Sequence, residues 1–175
     1  MDTKTKLISA AEQLFDRHGF TATGMDKLTK AAGMSSRTLY KHAGSKTALI
    51  TEVLKERHRR FQPHIEVGSV DALFDALEEW IRSESARGCL FLRAYGETGG
   101  DIPAITEAVL AHKARLYDKI QDIVAIENDD QAMPELAEQI LILYEGATAA
   151  AIYRGPGAVV SAHKAASALL KQARS

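Results

Sequence analysis

Apolar residues recur along the chain at intervals of three and four, the spacing that gathers them on one face of an α-helix. Leu7, Ala10, Ala11, Leu14, Phe15 and His18 form the first stripe, and Gly19 follows where a left-handed cap is expected. A shorter segment over residues 25–32 sets Leu28, Ala31 and Ala32 on one side. Gly33 breaks it, and Ser35 or Ser36 can cap a third helix that ends near His42. Beyond the turn Ala43-Gly44-Ser45, a helix is expected over residues 45–62. It turns Leu49, Ile50, Val53 and Leu54 inward and leaves Glu52, Lys55, Glu56 and Arg59 in water. Pro63 and Gly68 mark its end.

The remaining segments keep the helical period. Helices are expected over residues 70–85 and 88–96, the second closed by Thr98-Gly99-Gly100. Asp101 is an N-cap candidate with Pro103 in the first turn of a long helix through Ile105, Val109, Leu116, Ile120 and Ile123, which Asn128-Asp129-Asp130 closes. Pro134 opens another helix to Arg154, Gly155-Pro156-Gly157 is a hinge, and a last helix spans residues 159–173. No stretch alternates with period two for long enough to make a strand, so the fold predicted is all-α with about nine helices.

Composition narrows the classes. In 175 residues, 46% apolar and 26% charged is an ordinary globular balance, which excludes a disordered or fibrous chain. No apolar run reaches the ~18 residues of a membrane span. The first six residues lead into an amphipathic pattern rather than an apolar run, so a cytoplasmic protein without a secretory signal or membrane partner is expected. Cys89 is the one cysteine, which excludes an internal disulfide and a thiolate metal cluster within one chain. The net charge of −1 conceals an asymmetry. Residues 1–60 carry twelve Lys or Arg against six acids, and residues 61–175 carry ten against seventeen. A basic module joined to an acidic one suggests that the first part meets a polyanion, since phosphate neutralisation is the sequence-independent source of nucleic-acid affinity.

The stretch 20–46 gives that suggestion a shape. Two short helices meeting across a Gly-containing turn make a helix-turn-helix. Such a corner needs a small residue at the crossing, a Gly for the turn and apolar residues locking the second helix on the first. Thr29, Gly33 and Leu39 occupy these places, with Leu28 and Met34 completing the packing. Ser35, Ser36, Arg37, Thr38, Tyr40, Lys41 and His42 are left exposed on the second helix, a set of hydrogen-bonding side chains suited to a major groove about 12 Å wide and the phosphates at its edges. Arg37 is the candidate for a base-edge contact, because bidentate pairing with guanine is the commonest specific interaction; Ser36 and Thr38 are further candidates.

Over residues 3–54 the chain resembles the N-terminal domain of the TetR family of transcriptional regulators. The run from Leu7 to Phe15 with His18-Gly19-Phe20, then Met25-Asp26-Lys27-Leu28, Ala32-Gly33-Met34-Ser35, Thr38-Leu39-Tyr40-Lys41-His42 and Ser45-Lys46 fall in the family's order and spacing. The resemblance implies a recognition helix over residues 36–42, phosphate contacts from Tyr40, Lys41 and Lys46, and added DNA contacts from Lys4, Lys6 and Lys27. It also implies a DNA-binding domain over residues 1–46 and a ligand-sensing and dimerisation domain over 47–175, connected by helix 45–62. Three positions depart from the pattern: Ala43 for an aromatic residue, Thr47 for an acid and Thr29 where Ala is common. Looser packing beneath the recognition helix is the expected consequence of the first two, and Thr29 adds a hydroxyl at a close helix crossing.

For the second domain the resemblance implies an unknown small-molecule effector. Phe74, Trp80, Phe91, Tyr95 and Tyr117 are the candidate pocket walls, with Cys89 and Tyr144 as adaptable neighbours. The acidic balance of this half points away from strongly anionic ligands. Gly146, Ala147, Ala149, Ala150 and Ala151, with Ala162, Ala165, Ala166 and Ala168, would let the last two helices approach those of a second chain in a four-helix bundle. A homodimer of that kind places two recognition helices on a near-palindromic double-stranded operator. The function expected is a ligand-released repressor; the alternative is a helical interaction protein of the same fold that no longer binds DNA. No cofactor or metal site is expected, and no nucleophile or general base stands in a spacing that suggests an enzyme.

Overall fold

Nine helices form among the residues described, 2–84 and 87–174 of a computed structural model, and no strand joins them. They are α1 (Thr3–His18), α2 (Met25–Ala32), α3 (Ser36–Ala43), α4 (Lys46–Ile65), α5 (Val70–Glu84), α6 (Leu90–Thr98), α7 (Pro103–Ile126), α8 (Pro134–Arg154) and α9 (Gly157–Ala173). The all-α class is as predicted. The boundaries differ where local chemistry outweighs a single residue's propensity. Pro63 does not end α4, which runs two residues further to fully buried Ile65. Ile102, not Asp101, precedes α7; its carbonyl accepts from the Thr106 N–H at 3.0 Å. Glu84 ends the α5 helix, and Ser85, where that helix was expected to stop, lies outside the described residues. Gly19 has φ +88° but ψ 164°, so it turns the chain out of α1 in an extended rather than a left-handed helical conformation.

Two compact units divide the chain: residues 1–60 with 90–112, and residues 61–89 with 113–175. The unit that holds the helix-turn-helix is thus larger than residues 1–46. It includes most of α4, all of α6 and the first part of α7.

In the first unit Leu7, Ala11 and Phe15 of α1 are buried with Phe20, Leu28, Leu39, Leu49, Val53 and Leu54, and the Phe15 and Phe20 rings stack at 4.8 Å. Polar ties reinforce this core. Glu12 of α1, buried, receives Nη1 of Arg57 at 2.8 Å and both terminal nitrogens of Arg60 at 2.6 and 3.1 Å. A carboxylate shared by two guanidiniums satisfies the charge that burial would otherwise penalise. Glu97 at the end of α6 makes a second tie. It accepts from the Thr21 N–H at 2.8 Å and from Nε of Arg93 at 2.9 Å, while Nη1 of Arg93 donates to the Asp16 carbonyl at 2.7 Å. A methyl on Gly19 would stand 2.6 Å from this carboxylate.

The second unit has one continuous apolar core, from Phe61, Ile65, Val70, Leu73, Phe74, Leu77 and Ile81 through Leu116, Ile120, Ile123 and Val124 to Ile140, Tyr144, Val159 and Leu170. Asp129 and Asp130 take positive φ of 55° and 60° in the turn that closes α7, and the Asp130 N–H returns to the Ala125 carbonyl at 2.9 Å. No helix among the described residues is long and apolar enough to cross a membrane.

Glu12→Ala is predicted to destabilise the protein by about 3 kcal/mol, since it removes the carboxylate shared by two largely enclosed guanidiniums. Urea unfolding with the same m-value checks it, and a loss below about 1 kcal/mol contradicts the tie. Glu97 makes a pH-dependent prediction. Burial pushes its carboxyl up, but the Thr21 N–H and the Arg93 guanidinium outweigh burial and hold it below the usual carboxylate range. Its contribution is therefore complete above the unfolded value near ~4.3 and disappears as pH falls through the lower folded value. Glu97→Gln should be less stable than the natural chain at pH 7, with the gap closing towards pH 3 in parallel unfolding curves.

Candidate nucleic-acid interface

The corner between α2 and α3 follows from three residues. Gly33 occupies the left-handed helical region at φ 62°, ψ 38°, and the Met34 N–H reaches back to the Thr29 carbonyl at 3.2 Å, closing α2. Ser35 then caps α3: its Oγ accepts from the Thr38 N–H at 3.2 Å and lies 2.9 Å from the Thr38 hydroxyl. Leu39 is fully buried and fixes the rotation of α3 about its axis. The Thr29 hydroxyl donates to the Met25 carbonyl at 2.8 Å, so the extra oxygen at this crossing is satisfied within α2. Ala43, the last residue of α3, is buried on the same inward side as Leu39, a methyl where the resemblance has a ring.

With Leu39 inward, Ser36, Arg37, Tyr40 and Lys41 point to solvent, and Thr38 and His42 are half-buried at the edges of that face. Tyr40 is 51% exposed, which makes it a surface residue rather than a core one. Neither Arg37 nor Lys41 is engaged by a carboxylate of the described chain, so their cationic groups remain available to an anion. Ser45 caps α4 by accepting the Ala48 N–H at 3.1 Å, and Lys46 in the first turn reaches the Thr21 carbonyl at 3.5 Å. The start of α4 thereby adds a cation at a helix N-terminus that follows directly on α3, an arrangement suited to phosphate.

The outlying lysines differ from one another. Lys27 is exposed, with Nζ 3.4 Å from the Ala22 carbonyl, and Lys6 is exposed on α1. Lys4 lies in the first turn of α1, and its amine pairs with Glu52 of α4 at 2.7 Å. A DNA contact from Lys4 would have to compete with that exposed ion pair, which is worth little in water.

The residues expected to line a pocket are divided between the two compact units. Phe91 and Tyr95 belong to the first unit. There Phe91 stacks in parallel on His112 at 3.6 Å, and Tyr95, 41% exposed, covers Gly100. Phe74, Trp80, Cys89, Tyr117 and Tyr144 belong to the second. Of these, Phe74 and Tyr144 are both buried, with ring centroids 6.0 Å apart, and Trp80 makes edge contacts with Phe61 and His64. Cys89 is half-buried and carries a free thiol. Among the described residues no cluster of three or more His, Cys, Asp or Glu is arranged to hold a metal ion.

Sequence reasoning missed the groups that hold the interface in place. Glu12 meets Arg57 and Arg60 across more than forty residues, and Glu97 meets Thr21 across 76, separations at which no periodicity speaks. The Arg93 and Glu97 pair, four apart on α6, was the one local signal of a polar anchor there.

Known proteins agree with this geometry. The family model described as bacterial regulatory proteins, tetR family, matches residues 7–53. An uncharacterized HTH-type transcriptional regulator of Mycobacterium tuberculosis is 27% identical over 124 residues, 66% of this chain and 61% of that protein. The HTH-type transcriptional activator FasR of Mycolicibacterium smegmatis is 29% identical over 147 residues, 84% of this chain and 56% of its own length. The chain thus spans about six tenths of these curated relatives. A TetR-family transcriptional regulator from Streptomyces coelicolor shares the fold, with a TM-score of 0.89 at 24% identity over 99% of this chain and 96% of that one. Residues 7–53 thus match the tetR-family model, and the all-α architecture of the chain is the fold seen in a TetR-family transcriptional regulator.

Proposed function

We propose that the chain is a repressor that binds a near-palindromic operator as a homodimer and releases it when a small molecule occupies the second domain. The observation that carries this is the outward face of α3, where Arg37, Tyr40 and Lys41 stand in solvent on a helix locked by Leu39, Gly33 and Ser35. Arg37 reads a guanine edge, with Ser36 and Thr38 beside it. Tyr40, Lys41, His42 and Lys46 hold phosphates, and Ser35, Lys6 and Lys27 flank them. Repression needs only occupancy of the operator. Activation, which the name of the FasR relative carries for that protein, needs a further surface for the transcription machinery.

Dimerisation through α8 and α9 is supported by what those helices leave outside their own unit. Ala147, Ala151 and Ala166 are buried within it, whereas Gly146, Ala149, Ala165 and Ala168 face out beside exposed Ile142, Tyr153 and Val160. Small residues flanked by exposed apolar ones allow a second pair of helices to approach closely and remove that surface from water. Effector release is supported by α4 and α7, each of which contributes residues to both compact units. Effector and operator must weaken each other by the same factor, because coupling free energy is reciprocal.

Selection from randomised duplex DNA should enrich an inverted repeat bound with falling affinity as salt rises. Failure of a folded dimer to enrich any sequence would return the interaction-protein alternative. On the enriched duplex, Arg37→Ala should cost about 1–3 kcal/mol and relax one base position, while Lys41→Ala should weaken all sequences alike and lower the salt slope by about one. Gly146→Arg, at an exposed helical site open to a side chain, should keep the melting temperature yet yield a monomer by sedimentation, with operator affinity lost. A stable G146R dimer contradicts the proposed bundle.

A further inference from the structure

The two units differ in how they treat buried polarity. Glu12, Thr23, Arg57 and His112, the buried polar and charged residues of the described chain, all belong to the first unit. The interior of the second is aliphatic and aromatic, apart from one group. Tyr144 of α8 is 3% exposed, and its hydroxyl is enclosed without a hydrogen-bond partner among the described residues. Phe74 of α5 lies against it at 6.0 Å between ring centroids. Burial first, then the neighbouring Glu145 and Cys89, push the phenol far above its ordinary range, so it stays protonated at every working pH and keeps a hydrogen to donate. A phenylalanine would fill the same space without enclosing an unsatisfied hydroxyl, whose desolvation is unfavourable until an acceptor arrives.

The charges around this site are already matched. Lys113 holds Glu145 at 2.6 Å, and Asp71 holds His163, whose ring stacks on Phe74. An ionic ligand brought to Tyr144 would lose its hydration and find the neighbouring Glu145 and His163 already paired. We propose that the second unit binds, beside Tyr144 and Phe74, an uncharged and mostly apolar small molecule whose single carbonyl-type acceptor takes the hydrogen of the Tyr144 hydroxyl. This assigns the chemical class of the effector and rests on the effector-binding role proposed above. Phe74 supplies the apolar wall, and Tyr144 supplies orientation and selectivity.

The test uses the full-length protein without DNA. Methyl ketones of six to eleven carbons, with the carboxylates and primary amines of the same lengths, are titrated while the emission of Trp80, the one tryptophan, and the melting temperature are followed. At least one ketone should saturate and raise the melting temperature, and no carboxylate or amine should do so. Tyr144→Phe should bind that ketone about tenfold more weakly, the loss of one hydrogen bond. Its ligand-free melting temperature should equal or exceed that of the natural chain, an outcome that a merely structural role for the hydroxyl would not produce. Equal ketone affinity in Y144F, binding of the charged series, or no binding across the ketones would overturn the assignment. Operator affinity, measured separately on ligand-free protein, tests the DNA-binding role, so either can fail while the other stands.

Discussion

One buried carboxylate carries much of the first unit. Glu12 sits in the middle of α1 and takes the guanidiniums of Arg57 and Arg60 from α4. Between them these two helices bound the unit that contains α3: Leu7, Ala11 and Phe15 form one wall of its core, and Leu49, Val53 and Leu54 form another. Ion pairs enclosed in this way depend on geometry, because a misplaced partner leaves a desolvated charge. The tie therefore sets the register of α1 against α4 as well as adding stability. Leu39 anchors α3 into the core so defined, and the outward direction of Arg37 and Lys41 follows from Leu39 being inward.

A second polar anchor brings α6 into the same unit. Glu97 grips the N–H of Thr21, Arg93 grips the carbonyl of Asp16, and Lys46 reaches the Thr21 carbonyl from the start of α4. The loop between α1 and α2 is thus held from two directions, and Gly19 is the residue that lets the Glu97 carboxylate come so close. A helix far along the chain therefore belongs structurally to the unit that holds the helix-turn-helix.

The local features were legible in the sequence because they are short-range. The stripes at three and four residue spacing, Gly33 at the corner, Ser35 and Ser45 as caps and Leu39 as the anchor all act within one helical turn of their partners. Helix ends were less legible where propensity and burial compete, as at Pro63, which α4 passes on its way to buried Ile65. The long-range ties were not legible, since nothing in a single sequence marks Glu12 as the partner of Arg57 and Arg60 rather than as one more exposed acid of α1. Similarly, aromatic residues chosen by type alone proved heterogeneous: Phe74 and Tyr144 share a core, Phe91 stacks on a histidine in the other unit, and Tyr95 lies over a glycine turn. Residue type signals burial; its location depends on topology that periodicity does not encode.

The central claim is that the solvent face of α3, presented by the Gly33 corner and the Leu39 anchor, is the surface that meets DNA. Backbone amide chemical-shift mapping of the protein on titration with its selected inverted-repeat duplex tests this most directly. The account predicts perturbations concentrated on residues 35–42 and on Lys46 in the first turn of α4, saturating at one dimer per duplex. Perturbations centred elsewhere, with residues 35–42 unchanged at saturation, would contradict it.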